Sequence, residues 1–174
     1  MGDAAPHRTR RDRARGSGRP GPAGRQEVAG VTKRVIVVNG PNLNLLGKRE
    51  PEIYGTRSLD DLYEVVRARA AKLGLEVSLY QSNDEGAIID YLHQHAPGSV
   101  GIVINPAALT HYSVALYDCL QALALPVVEV HISNIHAREE FRAKSVTARA
   151  ARGVITGLGF VGYELALEFL ATQK

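Results

Sequence analysis

The chain has only one cysteine, Cys119, and lacks a long apolar run. Each of these features excludes certain classes of protein. One cysteine excludes an internal disulfide framework and a cysteine-based zinc cluster. Cys119 falls in the apolar helical pattern of residues 114–120, which predicts a buried structural thiol. No apolar run is long enough to span a membrane. Residues 1–30 also lack the apolar segment of a secretory signal, so we expect a cytoplasmic protein.

Positive charge is concentrated at the start of the chain. Residues 1–30 hold seven arginines and three acidic residues, a formal charge of +4, whereas the remaining 144 residues carry −1. Because this start has almost nothing to bury, residues 1–32 are predicted to be a disordered extension of a domain at 33–174. A basic arm can bind nucleic acid, but this one has no aromatic residue for base stacking. We therefore favour a dispensable extension, or a start codon assigned too early, over a nucleic-acid arm.

Strand-like and helix-like segments alternate through the rest of the chain. Short apolar runs predict strands at residues 33–39, 75–80, 100–105, 126–131 and 153–156. Helices are predicted at residues 58–73, 83–95, 111–123 and 159–171, with a short one near 137–141. This alternation indicates an α/β protein with a parallel sheet covered by helices on both faces. The length favours a flavodoxin-like, doubly wound, five-stranded sheet of order 2-1-3-4-5.

Polar side chains follow three of the predicted strands. Asn39 and Asn42 follow the first, Asn105 ends the third, and Glu129 and His131 end the fourth. An asparagine at a strand end is often only a turn former. However, ligands of doubly wound sheets bind beyond the carboxyl ends of their strands, so these five side chains should converge on one site.

Glu129 and His131 are two residues apart on a predicted strand. Their side chains therefore point to the same face, about 6.6 Å apart along the chain. The carboxylate can then orient the imidazole, directly or through water, and favours its charged form. A histidine held in this way is suited to act as a general acid; the alternative is a structural pair near the surface.

The loop after the first strand carries Tyr54 close in sequence to the cations Lys48, Arg49 and Arg57. A tyrosine has an ordinary pKa of about 10, which must fall before the phenol can act as a base near neutral pH. Opposite charge a few ångströms away favours tyrosinate, provided that the contact is desolvated. We therefore expect the loop to close over substrate before Tyr54 is competent. The alternative is an ordinary surface loop.

A second cationic loop follows the predicted strand of Glu129 and His131. Within residues 133–145 it contains His136, Arg138, Arg142 and Lys144. Such a run is usually a solvated face, but its position here favours an anionic or polyhydroxy substrate.

His111 is predicted at the start of the third helix, near the site. Asp118 lies two turns further on, and its residue type alone predicts a salt-bridge partner.

A glycine-rich stretch at residues 157–162 has the G-x-G-x-x-G spacing of dinucleotide-binding loops. It follows the last strand rather than the first, and no acidic residue follows about 20 residues later. We interpret it as a tight turn with close helix packing. The sequence also lacks a Walker motif, a metal-ligand spacing and a serine nucleophile elbow.

From about Arg34 to the C terminus, the chain closely resembles the type II 3-dehydroquinate dehydratases. The resemblance is carried by long, ordered motifs: NGPNLNLLG at 39–47, REPEIYG at 49–55, QSN at 81–83, INPA at 104–107, TH at 110–111, EVHISNI at 129–135, REEFR at 138–142, and residues 157–163. It implies anti elimination of water from 3-dehydroquinate through an enolate, without a Schiff-base lysine, a metal or a cofactor.

The resemblance also implies a role for each matching residue. Tyr54 would remove the proton beside the ketone, and Arg49 would lower the tyrosine pKa and stabilise the transition state. Asn42 would hold a water against the enolate oxygen. His131, oriented by Glu129, would protonate the departing hydroxyl.

Further residues would bind the substrate, by the same resemblance. The side chains or backbone of Asn105, Ile132 and Ser133 would hold the carboxylate, and His111 and Arg142 would hold ring hydroxyls. Asp118 would act across a subunit interface, because the family assembles trimers into a dodecamer. The expected partners are thus the substrate and further copies of the chain. Binding to nucleic acid is disfavoured, and no interaction with a membrane is expected.

Three other functions are consistent with parts of this pattern. A flavin-binding, flavodoxin-like protein would share the fold, but it needs hydroxyls and glycines after the first strand, where this chain has Asn-Gly-Pro-Asn. An RNA-binding role would depend on the arginine-rich start. A catalytically dead relative is disfavoured because Asn42, Arg49, Tyr54 and His131 are all present. The same reaction could also serve quinate catabolism.

Overall fold

The computed structural model describes residues 32–48 and 56–173. Arg49 and Tyr54 lie outside the described residues, as does the predicted extension at 1–32 except for its last residue. Within the described part of the chain, no helix is both long enough and apolar enough to cross a membrane.

Five parallel strands form one sheet, and each lies within one residue of its predicted bounds. In chain order they are β1 (Lys33–Asn39), β2 (Leu75–Gln81), β3 (Ser99–Asn105), β4 (Val127–His131) and β5 (Gly153–Thr156). Their order across the sheet is β2-β1-β3-β4-β5, which confirms the predicted topology. The carboxyl ends of β1, β3 and β4 are therefore neighbours at one end of the sheet.

In the described ranges, four α-helices connect and follow the strands: α1 (Leu59–Lys72), α2 (Glu85–His95), α3 (Val114–Ala122) and α4 (Val161–Ala171). Side-chain caps begin three of them. Ser58 and Asp61 form a capping box at α1, Asp84 accepts from the N–H of Ala87 at α2, and Ser113 accepts from the N–H of Leu116 at α3. Such a cap contributes about 1 kcal/mol.

The sheet has a separate apolar core on each face. Alternate strand residues such as Val35 and Val37 pack against α1 and α4, whereas Ile36 and Val38 pack against α2 and α3. The same alternation continues to the strand ends. It directs Asn105 toward the α1/α4 face, with the Val103 side chain, and directs Glu129 and His131 toward the α2/α3 face.

Two predicted helices differ from the structure. The third was expected to begin at His111, but His111 ends a 3-10 turn (Ala107–His111) and α3 begins only at Val114. The Ser113 hydroxyl caps Leu116 and so fixes the later start. The short helix expected near 137–141 is two 3-10 turns, Ile135–Ala137 and Glu140–Arg142.

The glycine-rich stretch after β5 is a tight turn against the sheet, as predicted. Gly157 has φ +85° and Gly159 has φ +58°, values that favour glycine. Their N–H groups donate to the carbonyls of His131 and Ile132. A Cβ added to Gly162 would lie 3.0 Å from Val130 Cγ1, so α4 packs closely on β4 and fixes the chain that leaves it.

Candidate active site

A cavity of about 140 Å³ opens at the carboxyl ends of β1, β3 and β4. Cavities of this volume can hold a six-membered ring. Seven of the predicted site residues line it: Asn42, Asn105, His111, His131, Ile132, Ser133 and Arg142. Arg138 also lines it, and none of its described lining residues is acidic. The cavity therefore suits an anionic ligand.

Glu129 lies behind this lining, in direct contact with His131. Glu129 Oε1 is 2.7 Å from His131 Nε2, and the two residues are 0% and 4% exposed. The contact follows from their spacing of two residues on β4, which places both side chains on one face. Since Nε2 faces the carboxylate, Nδ1 is the ring nitrogen left to serve the cavity.

Three hydroxyl groups surround the Glu129 carboxylate; we call them the hydroxyl cluster. Thr147 donates to Oε2 at 2.6 Å, and Thr110 and Ser145 donate to Oε1 at 2.8 and 3.0 Å. Burial alone would raise the pKa of Glu129, but the hydrogen bonds from His131 and Thr147 outweigh it and lower the pKa below its usual value. Glu129 is thus an ionised carboxylate, and His131 Nε2 is the donor in their contact.

The hydroxyl cluster also connects the Glu129–His131 pair to the second cationic loop. Ser145 and Thr147 follow Arg142 along the chain, and the N–H of Val146 donates to the carbonyl of Thr110 at 2.7 Å. His111 Nδ1 lies 2.8 Å from the carbonyl of Lys144, so this nitrogen carries the proton of the bond. These contacts hold the loop against the 3-10 turn that carries His111.

Arg142 reaches the cavity from this loop while paired with an exposed acid. Arg142 Nε lies 3.0 Å from Glu139 Oε2, and Arg138 Nε lies 3.4 Å from the same oxygen. Because Glu139 is exposed, this pairing contributes little to stability. Both arginines line the cavity and give it positive potential.

The turn after β1 is held by side chains from the end of β2. Asn42 has a left-handed backbone, φ 68°, and its N–H donates to Asn83 Oδ1 at 2.8 Å. Gln81 Nε2 donates to the carbonyl of Gly40 at 3.2 Å and to Asn83 Oδ1 at 3.1 Å. The QSN motif at 81–83 therefore positions Asn42 at the cavity.

Asn105 takes part in a buried chain of hydrogen bonds that reaches α4. Its Nδ2 donates to the Tyr163 hydroxyl at 2.9 Å, and that hydroxyl donates to Asn39 Oδ1 at 2.7 Å. Asn105 Oδ1 accepts from the N–H of Ala107 at 3.1 Å. One Nδ2 hydrogen of Asn105 is then left for a ligand.

The structure places the other predicted residues apart from this group. Asp118 is exposed on α3 and does not line the cavity of the single chain. Arg49 and Tyr54 lie outside the described residues, although Leu46, three residues before Arg49, lines the cavity. Within residues 32–48 and 56–173, no cluster of three or more His, Cys, Asp or Glu side chains is arranged to hold a metal.

Sequence reasoning missed Tyr163 and the hydroxyl cluster. Thr110 and Tyr163 fall inside motifs that carry the resemblance, but their residue types carry no catalytic signal of their own. Ser145 and Thr147 fall outside those motifs. Only the fold brings them to Glu129 and Asn105.

The fold and the cavity together define a doubly wound α/β protein with a cation-lined site and a buried carboxylate–imidazole pair. The sequence model of the family described as "Dehydroquinase class II" matches residues 33–171. The chain therefore belongs to the class II dehydroquinase family.

Individual relatives agree with this assignment. The chain is 59% identical to the 3-dehydroquinate dehydratase of Halothermothrix orenii over 135 residues, which cover 78% of this chain and 91% of the relative. The corresponding Thermus thermophilus protein is 55% identical over 138 residues, which cover 79% of this chain and 93% of that protein. The type II dehydroquinase structure from Propionibacterium acnes is 50% identical, with a TM-score of 0.78, and the match covers 81% of this chain and 97% of that one. That from Butyrivibrio crossotus is 45% identical, with a TM-score of 0.80 and with 82% and 100% covered.

Proposed function

We propose that the cavity binds 3-dehydroquinate and that His131 and Tyr54 act as acid and base in its dehydration. The chain is a 3-dehydroquinate dehydratase, a carbon–oxygen lyase of the shikimate pathway. The reaction yields 3-dehydroshikimate and water. The observation that supports this assignment of roles is the buried Glu129–His131 pair at a cation-lined cavity.

His131 supplies the acid. An ionised Glu129 holds Nε2, so Nδ1 is the ring nitrogen left to pass a proton to the departing hydroxyl. Departure of hydroxide without a proton is slow, and a positioned acid typically contributes 10² to 10⁴-fold. The hydroxyl cluster keeps the carboxylate ionised and fixed, so the imidazole keeps one orientation.

The substrate proton beside the ketone goes to Tyr54, with Arg49 favouring the tyrosinate. The resemblance of the REPEIYG motif supports this assignment, together with the position of Leu46 in the cavity lining. Removal of the proton generates an enolate. Asn42, held by Asn83, places a water at the enolate oxygen, where fixed donors lower the barrier.

The remaining lining residues bind the substrate. Asn105 and the Ile132–Ser133 segment hold the carboxylate, while His111 and Arg142 hold ring hydroxyls. All five border the cavity, and its cationic lining favours the negative charge of the substrate. Net positive potential also speeds capture of an anion.

The base is tested by Tyr54→Phe, which removes the phenol oxygen and keeps the ring. We expect kcat to fall about 100-fold, since the variant lacks its general base. The measurement is the rise in enone absorbance after 3-dehydroquinate is added to pure protein, with wild type alongside. An equal rise in both proteins would keep the reaction but remove Tyr54 as the base. No rise with well-folded wild type would reject the activity itself.

The assembly we propose is a dodecamer of trimers in the cytoplasm. Asp118 is exposed in the single chain, so it is available to complete the site of a neighbouring copy. Sedimentation velocity should show one species of dodecamer mass, and Asp118→Ala should raise KM. A monomer with full activity would contradict this assembly.

Quinate catabolism is the alternative pathway, with the same reaction, and growth of a deletion strain without aromatic amino acids distinguishes the two.

A further inference from the structure

Tyr163 joins two strand ends that border the site but does not line the cavity. It lies in the first turn of α4 and is 0% exposed. Its hydroxyl lies between Asn39 and Asn105, which are paired in register at the ends of β1 and β3. Burial raises the pKa of Tyr163 far above its usual value. The phenol therefore keeps its proton and cannot act as a base.

The hydrogen bonds of this group run in one direction. A tyrosine hydroxyl has one proton, and here it goes to Asn39 Oδ1. Its oxygen can then only accept, and it accepts from Asn105 Nδ2. At the other end, the Ala107 N–H donates to Asn105 Oδ1. If the Asn105 carboxamide flipped, two oxygens would face each other at Tyr163 and two N–H groups would face each other at Ala107.

The same contacts hold a strained part of the cavity wall. Ala107 lines the cavity with φ 53°, a left-handed value that is unusual for a residue other than glycine. The hydrogen bond to Asn105 Oδ1 is one of the contacts that hold it there. A carboxamide fixed by Tyr163 therefore fixes both a wall of the cavity and the remaining Nδ2 hydrogen.

We infer that Tyr163 is a positioning residue that sets the orientation of the Asn105 carboxamide and so determines recognition of the substrate carboxylate. This inference rests on the proposed role of Asn105 in binding that carboxylate. Tyr163 itself does not touch the substrate. It acts through Asn105, by keeping the amide nitrogen rather than the oxygen available at the site.

The test compares two competitive ligands that differ only at the carboxylate: quinate and its methyl ester. Inhibition constants for both are measured with wild type, Tyr163→Phe, Asn105→Ala and a control, Tyr63→Phe. The Tyr63 hydroxyl is also buried and lies near Asn39, but it has no well-formed hydrogen bond to any described residue. The control therefore removes a buried phenol oxygen from a second tyrosine near Asn39 and leaves the Tyr163–Asn105 bond in place.

We expect the preference for quinate over its ester to fall about fivefold in Tyr163→Phe, the effect of one lost hydrogen bond. KM should rise by a similar factor while kcat stays within about twofold. Tyr63→Phe should keep the wild-type preference. A purely structural role of Tyr163 would lower the melting temperature and leave the preference unchanged, and this result would overturn the inference.

Asn105→Ala separates the inference from the proposal on which it rests. If Asn105→Ala loses the preference and Tyr163→Phe keeps it, Asn105 binds the carboxylate and only the inference fails. If Asn105→Ala keeps the preference, the role of Asn105 fails and the inference fails with it. Should Tyr163→Phe not fold, Asn39→Ala provides the same test, because the freed Tyr163 hydroxyl could then turn toward Asn105 and allow the flip.

Discussion

His131→Ala is expected to lower kcat about 1,000-fold, within the range that a positioned general acid contributes. Alanine removes the ring that lines the cavity and whose Nε2 binds Glu129. The departing hydroxyl must then leave without a proton from the protein. KM should change much less, because Asn105 and Arg142 still line the cavity. Steady-state kinetics on 3-dehydroquinate, followed at the enone absorbance, measures both constants.

The pH profile and added imidazole distinguish an acid from a structural histidine. A base and an acid give the wild-type enzyme a bell-shaped profile, and the variant should lose the alkaline limb that requires the protonated acid. Free imidazole should restore part of the rate by occupying the space left by the ring. His136→Ala is the matched control, because His136 is exposed and does not line the cavity. If His131→Ala retained more than a tenth of the wild-type kcat with both limbs intact, His131 would not be the acid.

The topology and the contact between Glu129 and His131 were predictable because their signals are local. Each strand is a short apolar run, and the alternation of strands and helices leaves few parallel arrangements. Glu129 and His131 are two residues apart, so any strand would bring their side chains to one face. The convergence of Asn42, Asn105 and His131 followed from the rule that ligands bind at the carboxyl ends of parallel strands.

The supporting contacts were not predictable because they join residues far apart in sequence. Tyr163 lies 58 residues from Asn105 and 124 from Asn39. The hydroxyl cluster lies 16 to 19 residues from Glu129, on two different segments. No periodicity connects such positions, and serine and threonine are common in loops for other reasons.

The start of α3 was predicted wrongly for a different reason. The helix was predicted from His111, although Ser113, two residues later, is a residue type that caps helices. In the structure the Thr110 hydroxyl is used by Glu129, and Ser113 takes the capping role. Thr110 and His111 instead belong to the 3-10 turn Ala107–His111, which ends before α3 begins.

Glu129→Gln is expected to lower kcat about 100-fold and to destabilise the protein by about 2 kcal/mol at neutral pH. The carboxylate accepts four hydrogen bonds, from His131 and the three members of the hydroxyl cluster. A carboxamide offers one accepting oxygen and an N–H₂ group that faces donors. At least one hydroxyl must turn round, and the bonds to a charged acceptor are lost.

The pH dependence of this loss has a definite sign. The folded state lowers the pKa of Glu129 below its usual value of 4.5. The ionised carboxylate therefore stabilises the fold fully above that value, and the stabilisation disappears as pH falls through the lower folded pKa. Urea denaturation measures the unfolding free energy of wild type and Glu129→Gln. The difference between the two proteins should be constant above about pH 5.5 and should become smaller as the pH is lowered. If the difference in unfolding free energy grew as the pH fell, the pKa of Glu129 would be higher in the folded than in the unfolded protein, which would contradict this prediction.

Thr147→Val is the companion variant, since it removes one donor and keeps the shape of the side chain. It should lower stability less than Glu129→Gln and should raise the pKa of Glu129, because its hydrogen bond is one of the two main contributions that lower it. The activity should follow the same order, because an ionised, fixed carboxylate keeps Nδ1 of His131 toward the substrate. If Thr147→Val lost as much activity as Glu129→Gln while remaining fully folded, the hydroxyl cluster would contribute to the chemistry directly and not only through Glu129.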